Sequence, residues 1–279
     1  MILSIGELLL DITIVPEGIL TLDDDSPAEI TIGGGGQAAN FCAWVASMGE
    51  PVRLVTRVGD DERGHQLVAD MQELGVEVYP VWGREATGAV AVLVGPNGER
   101  TMATQRGASV GLRPEDLRQQ WFRNVRLIHV PAYSLFLDPL AAATRAAIAM
   151  VRMAGGLLSV DLSSAAGLKA FGGARMASDL ARLRPELLFA TVAESEALGV
   201  PLESLAEVPI LKLGPNGCRI AGRDIPAPKV RAVDPTGAGD AFAAAFCTSY
   251  LGGSTTIEAA QHAVLVASGA VTRTGARPG

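Results

Sequence analysis

Hydrophobic positions along this chain follow two rhythms. Short apolar runs at 2–5, 52–55, 127–130, 157–160, 187–190 and 210–213 alternate with longer alanine-rich stretches at 38–48, 65–74, 139–153 and 257–270. The short runs read as buried strands and the longer stretches as helices. Strand and helix in alternation predict an α/β fold, a mostly parallel central sheet with helices on both faces. Two segments break the rhythm. Residues 12–32 and 89–105 read as antiparallel β structure, the second a hairpin with Gly95-Pro96-Asn97-Gly98 at its tip. Gly214-Pro215-Asn216-Gly217 repeats the tip sequence between different flanks, so it reads as turn chemistry and not as an internal repeat.

Composition narrows the class. At 279 residues, 48% hydrophobic and 19% charged, the chain can bury a large core as one enzyme-sized domain. No apolar run approaches the roughly 20 residues that span a bilayer, and the first strand has no basic segment before it, so the expectation is a cytoplasmic protein without a leader or a membrane partner. Cys42, Cys218 and Cys247 lie far apart in apolar contexts, as core residues do, and not at metal-cluster spacing. The formal charge of −7 carries no basic stripe, which argues against nucleic acid.

The candidate chemistry lies in Asp234-Pro235-Thr236-Gly237-Ala238-Gly239-Asp240. An extended run at 229–233 precedes it and strong helix-forming sequence follows, which places a turn at 236–239 and exposes a helix N-terminus. Unpaired N–H groups there hold an anion, and glycines let a phosphate approach. Asp240, in the first helical turn, is then a candidate proton acceptor for a substrate hydroxyl. A second cluster, Gly33-Gly34-Gly35-Gly36-Gln37-Ala38-Ala39-Asn40, reads as a loop joining two structured elements. Gly33, Gly35 and Ala38 satisfy the dinucleotide pattern G-x-G-x-x-A, but that fingerprint closes the first strand of its unit, and here the first strand lies about 28 residues upstream. Of the lysines, Lys169, Lys212 and Lys229, none completes a Walker loop, so a phosphate clamp falls to backbone N–H groups, a metal and arginine.

Together the two glycine signatures resemble those of the ribokinase-like (PfkB) carbohydrate kinases, and the resemblance extends through Ile5 to Asp11, Val58 to Gly64, Leu74-Gly75-Val76 and Ala270 to Ala276. It implies a ribokinase-like three-layer sandwich with a small β-sheet lid formed by 12–32 and 89–105, a homodimer through the lid, and transfer of the γ-phosphoryl group of ATP, with magnesium, to a hydroxymethyl group of a small sugar. Asp240 resembles the family's base and Gly237, Ala238 and Gly239 its anion hole. Asp11, Gly35, Gly36 and Asn40 fall at sugar-contacting positions, with a helix N-cap role as the rival reading for Asn40. Arg106 is placed to reach a substrate carboxylate or phosphate, and a plain surface arginine is the alternative. Lys212, Gly214, Gly217 and Val264 fall where the nucleotide binds, Val264 replacing an asparagine of many members. Glu196 matches the magnesium-organising glutamate of an N-x-x-E motif whose Asn position is Ala193. Asp234, Thr236, Ala270, Arg273 and Gly275 fall at a monovalent-cation site of the kind that takes potassium.

His65, His129 and His262 match no catalytic pattern and read as surface or core residues. The segment around Arg106 and Asp161 lacks the tyrosines and arginine with which the family's acid-sugar kinases hold their substrate, which favours a neutral ketose or pentose. The rivals are a nucleoside kinase of the same fold, for which Tyr79 and Trp82 are the available aromatic platforms, a non-catalytic sugar-binding regulator, and a dinucleotide oxidoreductase.

Overall fold

The computed structural model describes residues 1–95 and 99–278. The chain opens with β1 (Ile2–Ile5), leaves the core for β2 (Leu9–Pro16) and β3 (Ala28–Gly35), and returns through α1 (Gln37–Ser47), β4 (Val52–Gly59), α2 (Glu62–Glu73) and β5 (Glu77–Gly83). A second excursion makes β6 (Thr87–Val94) and β7 (Arg100–Gly107). The core then resumes with β8 (Leu127–Pro131), α3 (Tyr133–Phe136), α4 (Leu140–Met153), β9 (Leu157–Asp161), α5 (Ala165–Phe171), α6 (Gly173–Leu183), β10 (Leu187–Thr191), α7 (Val192–Leu198) and β11 (Val208–Lys212). A hairpin of β12 (Cys218–Ile220) and β13 (Arg223–Ile225) precedes α8 (Ala238–Leu251) and α9 (Thr256–Ala270).

The large sheet has the order β13-β12-β11-β10-β9-β8-β1-β4-β5, parallel from β11 to β5, with the hairpin added antiparallel at one edge. Its central strands β1, β8, β9 and β10 are buried almost throughout and mostly apolar because both faces are covered. Successive side chains point to opposite faces: Ile2, Leu187 and Phe189 pack with α1, α8 and α9, whereas Leu3, Leu188 and Ala190 pack with α4 and α6. His129 of β8 stacks on Phe41 with ring centroids 3.8 Å apart and bonds Ser159; burial lowers its pKa to about 3, so it is a neutral core residue. His65 and His262 lie exposed on α2 and α9. All three cysteines are buried and free. No helix among the described residues is long and apolar enough to cross a membrane.

The two excursions form a separate four-stranded sheet, β3-β2-β6-β7, in which β2 pairs parallel to β6 and the other pairs are antiparallel. Its strands extend to 9–16, 28–35, 87–94 and 100–107, beyond the predicted segments. The glycine cluster is correspondingly not a loop: Gly33, Gly34 and Gly35 continue β3 opposite Asp11, Leu10 and Leu9, and Gly36 alone turns the chain into α1. Of the predicted hairpin tip, Pro96, Asn97 and Gly98 fall outside the described residues. The run at 229–233 forms no strand; the N–H groups of Val233 and Asp234 instead converge on the carbonyl of Val271.

Candidate active site

The carboxyl ends of the parallel strands face the small sheet, the edge of an open α/β sheet where ligands bind. β9 brings Asp161 there, β10 Thr191 and β11 Lys212, and the N-termini of α1 and α8 arrive beside them. Gly237 caps α8 with φ +74°; a Cβ there would run into the Ala276 carbonyl, so the sharp entry requires glycine. Among the described residues, the N–H groups of Gly239 and Asp240 have no hydrogen-bond partner, the unpaired donors an anion needs.

Asp240 is buried in the first turn of α8 and accepts a hydrogen bond from Asn40 Nδ2 at 3.1 Å. Burial first, and the charge of Asp161 second, raise its pKa to about 7, against the hydrogen bonds from Asn40 and Gln37 and the charge of Lys212. Asn40 is not a helix cap; Gly36 holds that place, and Asn40 sits a turn further on. Its amide is fixed from both sides, since Oδ1 accepts from Arg277 Nε at 3.1 Å. Arg277 also donates to the Gly35 carbonyl at 2.9 Å and lies against Gly34. Burial lowers its pKa to about 10, opposed chiefly by Asp11, whose own carboxyl burial raises. Gln37 Oε1 is buried without a partner beside Asp240. Asp11, Gly35, Asn40, Arg277 and Asp240 thus form one polar wall.

Beside it lies a buried charge cluster. Lys212 Nζ donates to Asp161 Oδ2 at 2.5 Å and comes within 3.5 Å of where a side chain on Gly239 would begin. Burial alone would depress the Lys212 pKa, but Asp161 and Glu194 outweigh it and hold the amine charged. A lysine therefore does face the anion hole, although no glycine-lysine motif announced it. Lys212 also lines a cavity of about 690 Å³ with Thr191, Gly214, Gly217, Phe242 and Val264. Gly217 has φ +93°, and a Cβ there would strike the Ile225 carbonyl.

Two acids stand on α7, the expected Glu196 and, two positions before it, Glu194. Thr191 ends β10 and caps α7, accepting from Glu194 N at 3.3 Å while its own N–H donates to Glu194 Oε2 at 2.7 Å. Glu194 is buried within the field of Lys212 and Asp161, and burial raises its pKa. Glu196, about 200° further around the helix, is exposed, as is Ala193. The inward acid is the third residue after the cap.

Two arginines of β7 are committed to carboxylates. Arg106 pairs with Glu7, which is buried in the β1–β2 turn, and its guanidinium lies 4.4 Å above the Tyr133 ring. At the other end of the strand Arg100 pairs with Asp234 at 2.6 Å. Asp234 also accepts from the N–H groups of Thr236 at 2.7 Å and Gly275 at 3.0 Å. Ala270 is buried in α9, and Arg273 stands 5.9 Å over the Trp44 ring. The carboxylate of the expected cation set is therefore saturated by the Arg100 guanidinium, two backbone N–H groups and the Thr236 side chain, and these residues do not fit a monovalent cation on Asp234.

A cavity at the strand ends, an unpaired helix N-terminus, a buried carboxylate in its first turn and a β-sheet lid define a phosphoryl-transfer enzyme of the α/β class. The chain matches the pfkB family carbohydrate kinase model across residues 1–279 and belongs to that family. It is accordingly a phosphotransferase with an alcohol group as acceptor. It is similar to the probable fructokinase-5 of Arabidopsis thaliana, with 28% identity over 270 residues, 89% of this chain and 82% of that one. In fold it is similar to the adenosine kinase of Sinorhizobium meliloti, with 24% identity, a TM-score of 0.88 and coverage of 99% of this chain and 95% of that one. A putative ribokinase II of E. coli in complex with ATP and Mg²⁺ matches with 24% identity, a TM-score of 0.85 and coverage of 99% and 94%.

Proposed function

We propose that this chain is an ATP-dependent kinase of a neutral ketose or pentose, acting on a hydroxymethyl group. The observation that carries the reading is Asp240, buried beside the unpaired N–H groups of α8 and held by Asn40. In the reaction Asp240 takes the proton of the sugar hydroxyl as that oxygen attacks the γ-phosphoryl group in line, and the α8 N-terminus stabilises charge on the transferred group. Asp11, Asn40 and the Gly35 backbone hold sugar hydroxyls, and Arg277 keeps the Asn40 amide facing Asp240. Lys212 supplies a fixed positive charge beside the anion hole. The site's acids fit magnesium: Glu194, with Asp161 nearby, would hold its water shell. When bound, the ion neutralises phosphate charge. Thr191, Gly214, Gly217 and Val264 wall the nucleotide cavity.

Arg106 is neutralised by Glu7, which supports a neutral sugar over an acid one. The nucleoside reading lacks a platform: Tyr79 stacks on Trp121, Trp82 on His65, and the Tyr133 face is covered by Arg106. Exposed Ile30, Ile32 and Met102 on the lid support pairing of two copies through it, and dependence on ATP supports a cytoplasmic setting. ADP release with fructose, ribose, 2-keto-3-deoxygluconate and adenosine tests the reading. Turnover of fructose or ribose supports it; preference for the acid sugar, lost in Arg106→Ala, or for adenosine overturns it.

A further inference from the structure

The saturation of Asp234 has a structural origin in the lid. Arg100 is the first residue of β7, paired with Val94 across the hairpin, and Arg106 is six steps along the same strand, about 20 Å away. The strand is pinned at both ends across the mouth of the site, by Arg106 on Glu7 and by Arg100 on Asp234. Asp234 belongs to the segment that turns into α8, so the far pin rests on the backbone that forms the anion hole. Both members of the pair are mostly buried, with side-chain exposures of 17% for Arg100 and 8% for Asp234, and Arg100 Nε is buried without a partner. The Asp234 carboxylate is therefore compensated by one unit of positive charge that arrives on the lid.

We propose that Arg100 takes the place of a monovalent cation beside the anion hole and latches the lid over the site, so that turnover in this chain does not depend on potassium. The charge a free ion would bring is covalently attached to β7 and is delivered when the lid closes. Removing the guanidinium leaves a desolvated carboxylate whose remaining partners, the N–H groups of Thr236 and Gly275 and the Thr236 side chain, are all neutral, a place where a small cation gains and a bulky one does not.

The activity arm rests on the sugar-kinase reading; a thermal arm does not. Turnover is measured in potassium chloride and in tetramethylammonium chloride at matched ionic strength, for wild type, Arg100→Ala and Arg100→Lys. Wild type should differ by less than about 2-fold between the salts, and Arg100→Ala should lose roughly 10-fold or more in kcat, recover several-fold with potassium but not with tetramethylammonium, and be rescued by Arg100→Lys. In unliganded protein, potassium should raise the melting temperature of Arg100→Ala above its value in tetramethylammonium and leave wild type unchanged. Potassium activation of wild type by about 10-fold, or an Arg100→Ala protein with wild-type turnover and no potassium effect on melting, overturns the proposal. Absence of sugar phosphorylation in either salt contradicts the kinase reading instead, and the melting comparison then decides the role of Arg100.

Discussion

Replacing Asp240 by Asn should slow turnover severely and, at neutral pH and above, make the protein more stable. The Asn40 amide keeps an oxygen acceptor in the variant, so packing is preserved and the change is one of charge. Asp240 has a folded pKa of about 7 against an ordinary value of 3.8, raised mainly by burial. A carboxyl with a raised folded pKa favours the native state fully below its unfolded value and loses that contribution as pH climbs through the folded one. At pH 8 wild type therefore folds with a buried charge that costs up to about 4 kcal/mol, three units at about 1.4 kcal/mol each. Below pH 3.8 the cost vanishes. Asp240→Asn should thus gain in melting temperature at pH 8, at roughly 2–4 °C per kcal/mol recovered, and the gain should shrink to a small fraction by pH 4. Its kcat should fall by roughly 10²-fold or more, the scale of general-base loss. Melting curves of unliganded protein across pH 4–8, with turnover at pH 8, check both halves. A variant no more stable than wild type at pH 8, a gain that ignores pH, or near-wild-type turnover would refute the reasoning.

Three further outcomes are expected. Arg106→Ala strips the counter-charge from buried Glu7 and should destabilise by about 3–5 kcal/mol in denaturant titration, and adding Glu7→Gln should restore most of the loss. Asp11→Ala should weaken sugar binding by about 1–3 kcal/mol in calorimetry with ATP affinity unchanged, whereas Asn40→Ala should also lower kcat, because its amide holds Asp240. Glu194→Gln should raise the magnesium concentration for half-maximal rate several-fold, while Glu196→Gln, on the exposed face of α7, should leave it unchanged.

How much of this was legible in the sequence depended on range. Apolar runs gave the alternating core because strands covered on both faces are mostly hydrophobic, and the turn into α8 was marked by Gly237, where φ is +74° and a Cβ would strike the Ala276 carbonyl. The burial of Glu194 was not read from the sequence, because motif spacing was counted from Ala193, whereas the cap at Thr191 turns Glu194 inward and is visible as a T-x-x-E capping box. Gly33 to Gly35 looked like a loop because glycine carries no strand propensity, and only the ladder with β2 orders them. Arg277 on Asn40 and Arg100 on Asp234 join residues 237 and 134 positions apart, and no local pattern encodes a pairing that exists only once the lid and the strand ends have met.

The most direct test of the account is the structure of the protein bound to a non-hydrolysable ATP analogue, magnesium and the sugar it turns over. The account places the terminal phosphate on the N–H groups of Gly239 and Asp240, and the acceptor hydroxyl within about 3.2 Å of the Asp240 carboxylate. A nucleotide phosphate seated instead on Gly33 to Gly36, or a sugar whose hydroxyls lie out of reach of Asp240, would contradict it.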